Sequence, residues 1–170
     1  FTSAAGPNFT EAYYDHNDDR DALHAGGIVW YGDYLYVADT RFGFRVFDLS
    51  QVMKVSHTDQ NGRIGLVNGR SDAHGYRYII PQIARYRLAD DSCALSFSSV
   101  GLDRSTNPPT LLSAEYRSDD SQGRLVHWPL DPETGRLLEI EGRIYGRDAR
   151  MSAQTRVQGA LSYNGNYYIS

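Results

Sequence analysis

Gly27-Ile28-Val29-Trp30-Tyr31, then Gly32-Asp33, then Tyr34-Leu35-Tyr36-Val37-Ala38-Asp39 reads as two strands about a two-residue turn. β-Branched and aromatic residues suit a pleated surface, and a Gly-Asp pair between two such runs is a hairpin signal. After Arg41-Phe42-Gly43, the run Phe44-Arg45-Val46-Phe47-Asp48-Leu49 alternates with period two. Three short antiparallel strands joined by tight turns are therefore expected over 27–49.

The unit returns further along. Gly159-Ala160-Leu161-Ser162-Tyr163, Asn164-Gly165 and Asn166-Tyr167-Tyr168-Ile169-Ser170 match 27–38 position by position. Tyr31 falls on Tyr163 and Tyr36 on Tyr168, an offset of 163 − 31 = 132. A weaker copy lies between them, with 95–102, 110–116 and 123–130 as its three strands and Asp119-Asp120-Ser121 in a turn. Repetition at this scale marks a β-propeller or a solenoid, whose units cannot bury both faces alone. The fold class expected is all-β, a β-propeller with roughly two to three blades in this chain. Residues 1–23 read as an irregular N-terminal segment and 24–170 as blades, the last of them incomplete. Propellers close with roughly four to eight blades, so a missing segment or a second chain is expected to complete the ring. No long helical period occurs; Gln51-Val52-Met53-Lys54-Val55 is expected to form one short helical turn.

Composition narrows the functional classes. With 41% hydrophobic and 22% charged residues, the chain is of ordinary globular type. No apolar run reaches the ~18 residues of a membrane-spanning helix. A net charge of −4 argues against general nucleic-acid binding. The missing initiator Met predicts a removed leader or a longer parent chain. Asn8-Phe9-Thr10 is an N-glycosylation sequon, which adds modest support for secretion. Cys93 is alone, so neither an internal disulfide nor a CxxC metal pattern arises. Lys54 is the only lysine, and the remaining positive charge is arginine. Genome composition explains that bias; equally, a planar guanidinium grips carboxylates with two parallel hydrogen bonds.

The repeat also supplies candidate chemistry. In propellers the residue before the innermost strand tends to sit at the channel mouth, where ligands bind. His24 holds that place in the first unit, and 24 + 132 gives Arg156 in the last. An imidazole and a guanidinium at equivalent positions suit acid–base work; as plain structure, both are solvated loop residues. Residues 75–87 alternate aromatics and arginines, either one or two strands with a polar face or a wall for an acidic sugar. Charged strand ends at Asp103-Arg104 and Glu115-Tyr116-Arg117 are ordinarily solvated or salt-bridged. Trp30, Arg85, Arg87, Tyr116 and Arg117 form the candidate substrate-binding set. Asp15, Asn17, Asp19 and Asp21 place oxygen ligands at alternate positions that a Ca²⁺ ion could use, but the glycine and distal glutamate of an EF-hand are missing. No other cofactor is expected.

A longer likeness covers most of 24–170. The stretches HAGGIVWYGDYLYVADT (24–40), GYRYIIPQ (75–82), FSSVGLDRS (97–105), RLVHWPLD (124–131) and QGALSYNGNYYIS (158–170) carry it. Together they resemble a family of secreted β-propeller proteins of filamentous fungi and actinobacteria, similar to seven-bladed lyases that release rhamnose from glucuronate. The resemblance implies an extracellular enzyme acting on an acidic polysaccharide by β-elimination. A cation or arginine would neutralise the uronate carboxylate, a His or Tyr would take the C5 proton, and an acid would assist the departing oxygen. His24, Tyr86, Arg104 and Arg156 are the candidates for these roles, without a residue-by-residue motif match.

Two further readings stand beside the lyase. One is a non-catalytic lectin or protein-interaction scaffold, since propellers host many functions. The other is a glycoside hydrolase, which needs two facing carboxylates, with Asp39, Asp103 and Glu115 available.

Overall fold

Asn164 and Gly165 both take positive φ, +49° and +75°, the backbone that a two-residue turn between twisted strands requires. Gly32 does the same at +58°. These turns fold back the two hairpins on which the repeat was read. The computed structural model describes residues 2–3, 13–15, 23–55, 63–67, 69–87, 95–119 and 122–170.

In chain order the strands are β1 (Thr2–Ser3), β2 (Tyr13–Asp15), β3 (Ala25–Tyr31), β4 (Tyr34–Asp39), β5 (Gly43–Asp48) and β6 (Met53–Lys54). There follow β7 (Arg63–Val67), β8 (Arg70–Ala73), β9 (Tyr78–Ile79), β10 (Gln82–Arg87), β11 (Phe97–Asp103) and β12 (Thr110–Glu115). The last six are β13 (Arg124–Pro129), β14 (Glu139–Ile140), β15 (Arg143–Ile144), β16 (Arg147–Met151), β17 (Ala160–Tyr163) and β18 (Asn166–Ile169). The molecule is all-β, and none of its antiparallel sheets closes on itself.

The first sheet runs β3-β4-β5-β10 and is extended by β1, β15 and β14. The second runs β11-β12-β13-β16, and β17-β18 form a separate hairpin. Smaller sheets, β2-β7-β8 and β6-β9, complete the set. Residues 27–49 thus hold the three expected antiparallel strands, and the hairpin repeats the first two. Both larger sheets share a detail: the register slips between Ala25 and Gly27, and again between Phe97 and Ser99.

Two expectations are adjusted. The helical turn lies at Leu49–Gln51, earlier than the 51–55 stretch, and Met53–Lys54 is extended. Asp48 places it there: its carboxylate accepts from Ser50 N at 2.9 Å and from Gln51 Nε2, bending the chain as β5 ends. Within the stretch read as irregular, Thr2–Ser3 pairs with both β10 and β15, and Tyr13–Asp15 pairs with β7. Strands of two or three residues are too short to show a period.

The sheets stack in sequence order. Tyr36, Phe44, Val46 and Tyr86 of the first meet Phe97, Leu111, Val126 and Trp128 of the second. The Phe44 ring meets Phe97 edge-on at 5.2 Å and Trp128 at 5.5 Å. Burying each such side chain contributes about 1.5–3 kcal/mol. Beyond the second sheet, Leu112, Ala114, Leu125 and Val157 pack against Ala160, Tyr167 and Ile169 of the hairpin. The first strands lie side by side and nearly touch. A Cβ on Gly26 would meet Phe97 O at 2.3 Å, and one on Gly101 would meet Ala160 O at 2.7 Å. Only glycine permits that approach.

Candidate functional site

One end of the stacked sheets collects most of the predicted residues. Strands β3, β11 and β17 all begin there, and β4 and β12 end there. A line of backbone hydrogen bonds runs along this rim. Thr40 N donates to His24 O at 2.9 Å, and Phe97 N donates to Thr40 O at 3.1 Å. Tyr116 N then donates to Ser96 O at 2.8 Å, and Arg156 N to Arg117 O at 3.1 Å. His24 and Arg156 therefore sit on the same rim, linked through Thr40, Ser96-Phe97 and Tyr116-Arg117. Both are exposed.

His24 precedes β3, and its Nδ1 hydrogen-bonds Thr40 Oγ1 at 2.8 Å. That contact orients the exposed ring. Arg156 has a positive φ of +57°, a conformation that non-glycine residues adopt infrequently, in the loop entering β17. Tyr116 and Arg117 follow the end of β12 and are half-buried.

Two buried carboxylates, each ion-paired to arginine, support the rim at equivalent points. Asp39, the last residue of β4, is 1% exposed and accepts from Arg45 Nε at 2.8 Å, with Arg85 Nη2 at 3.8 Å. Glu115, the last residue of β12, accepts from Arg124 Nε and Nη2, each at 2.7 Å, with Arg117 Nη1 at 3.8 Å. Charge-assisted, two-pronged bonds of this kind fix geometry as well as energy. The guanidinium carbons of Arg85 and Arg87 lie over the Phe42 ring, at 4.8 and 5.3 Å. Asp39 and Glu115, read as available carboxylates for a hydrolase, are thus both held in ion pairs.

Other predicted residues lie elsewhere. Trp30, at the far end of β3, is 68% exposed and donates from Nε1 to Gly32 O. Arg104 follows the far end of β11, its guanidinium 5.8 Å from the Tyr31 ring. Neither belongs to the His24 rim. Tyr86 is 1% exposed, packed in the core, with its hydroxyl donating to Glu139 Oε1. Burial first, then that hydrogen bond, hold its phenol well above the ordinary range. It therefore does not share the exposed setting of His24. Asn8, Asn17, Asp19 and Asp21 lie outside the described residues, and Asp15 is described only as backbone paired with Arg63. Among the described residues no group of His, Cys, Asp and Glu side chains is arranged to hold a metal ion.

A second polar cluster buries Asp103, the third carboxylate available to a hydrolase, and includes His127, which was not foreseen. Asp103, 1% exposed, accepts from Ser105 N at 2.8 Å and from the hydroxyls of Ser105 and Ser162. His127, 6% exposed, bonds Thr110 Oγ1 through Nδ1 at 2.8 Å and Tyr167 OH through Nε2 at 3.0 Å. These bonds fasten the hairpin to the second sheet. The one available signal was a polar residue at a core position, His127 between Val126 and Trp128.

No helix among the described residues is long and apolar enough to cross a membrane. No protein-family model, no curated protein and no solved structure matches the chain.

Proposed function

We propose that the stacked sheets are successive blades of a β-propeller, and that the rim carrying His24 and Arg156 is the site of a secreted polysaccharide lyase. Its substrate is an acidic polysaccharide cut beside a glucuronate. The observation that carries this reading is the hydrogen-bonded line along the rim. It sets an exposed, oriented imidazole and an exposed guanidinium along one edge. Secretion and glycosylation at Asn8 belong to the same proposal.

Elimination asks little of the scaffold beyond charge placement. Arg156 pairs with the uronate carboxylate and so stabilises negative charge developing at C5. His24 Nε2 takes the C5 proton, and the electrons of that C–H bond form the C4–C5 double bond. The C4–O4 bond breaks with its electron pair on O4, and the imidazolium returns the proton to that oxygen. Tyr116 and the arginines over Phe42 line the adjoining rim.

Incubation with a rhamnosyl-glucuronate oligosaccharide should produce the far-ultraviolet absorbance of an unsaturated uronate. His24→Ala should lower turnover about 10²–10⁴-fold, the usual worth of an acid–base group. Sugar release without new absorbance would favour a hydrolase. Saturable binding without turnover would favour a lectin. Either result removes the lyase reading.

A further inference from the structure

The outward side of β3 and that of the hairpin carry exposed apolar residues, and the repeat says what each side fits. On the first sheet Ile28 and Trp30 are 60% and 68% exposed. On the hairpin Leu161, Tyr163 and Tyr168 are 48%, 56% and 58% exposed. Subtracting 132 from the hairpin positions gives Val29, Tyr31 and Tyr36, which in the first sheet pack against the second. Adding 132 to 28 and 30 gives Ala160 and Ser162, which in the hairpin pack back onto the second sheet. Each exposed face is thus the counterpart of one side of a contact that the chain already makes internally. The hairpin shows the side that receives a following sheet, and the first sheet shows the side that seats on a preceding one.

We propose that these two faces dock on each other between copies of the chain, so that the protein assembles head to tail. The occupant of the Ile28–Trp30 face is the Leu161–Tyr163–Tyr168 face of a second copy. Unlike surfaces meet, so the contact is heterologous and builds a ring if the rotation closes, or a filament if it does not. Apolar burial drives it, with the large rings of Trp30, Tyr163 and Tyr168 at its centre. The inference rests on the stacking of the sheets and is independent of the chemistry at the rim.

Sedimentation equilibrium of the 170-residue chain, without substrate, tests it. The expected result is a mass that rises with concentration above the single-chain 19.1 kDa. Trp30→Asp and Tyr168→Asp should each be monomeric when alone, with wild-type circular dichroism, because both side chains are exposed. Mixed together they should form a one-to-one dimer and nothing larger, since each retains the face that the other has lost. A wild-type chain that stays monomeric at millimolar concentration overturns the proposal. So does a mixture that remains monomeric while the wild type associates, because that pattern belongs to a symmetric contact. Should both variants fail to fold, the wild-type mass alone still decides.

Discussion

His127 and Asp103 are buried titratable groups whose environments move them in ways that can be read as stability. Burial pushes the His127 imidazole below its ordinary 6.5, although Asp103 and Asp148 pull the other way. The folded protein therefore holds this ring neutral. As the pH falls below about 6.5 the unfolded chain takes up its proton first, so folding stability is full above that value and declines below it. For Asp103, burial favours the neutral acid. Hydrogen bonds from Ser105 and Ser162 outweigh it and keep the carboxyl below its ordinary 3.8. Its contribution is present above 3.8 and is lost as the pH falls further. Urea midpoints measured from neutral pH downward should fall in two stages, and His127→Gln should flatten the first. A level profile through the first stage contradicts this account.

At the scale of strands, period two made β5 legible, and β-branched and aromatic runs about Gly-Asp and Asn-Gly turns made β3, β4, β17 and β18 legible. Ion pairs were not legible, since register joins residues that the sequence separates. Asp39 meets Arg45 six positions on, and Glu115 meets Arg124 nine positions on. These equivalent strand ends differ in how much water reaches the arginines. Arg45 and Arg85 are only 11% and 13% exposed, so Asp39→Ala strands two nearly buried guanidinium groups. The expected cost is about 3–5 kcal/mol. Arg124 and Arg117 are 31% and 40% exposed and can be solvated when Glu115 is removed. Glu115→Ala should accordingly cost clearly less by denaturant titration, and equal or reversed costs would refute the solvation argument.

Across the whole molecule, the offset of 132 located His24 and Arg156 on one rim, because it follows the repeat and the repeat follows the stacking. Tyr86, a candidate for the elimination chemistry, is buried. In a strand that places Arg85 and Arg87 on one face, the residue between them faces the other side, here the core. Trp30 and Arg104 stand at the far ends of their strands, and nearness to a charged or aromatic stretch could not reveal which end that was. The close approach at Gly26 carries a prediction at this scale. Gly26→Ala places a methyl against Phe97 backbone and should cost about 1–3 kcal/mol in thermal unfolding; an unchanged melting temperature would show that the gap is slack. The same approach has a geometric consequence. The first and second sheets meet backbone to backbone at Gly26 and Phe97, and ring to ring at 5.5 Å where Phe44 on β5 faces Trp128 on β13. Side-chain bulk is least between the first strands β3 and β11, so an added methyl is felt most there.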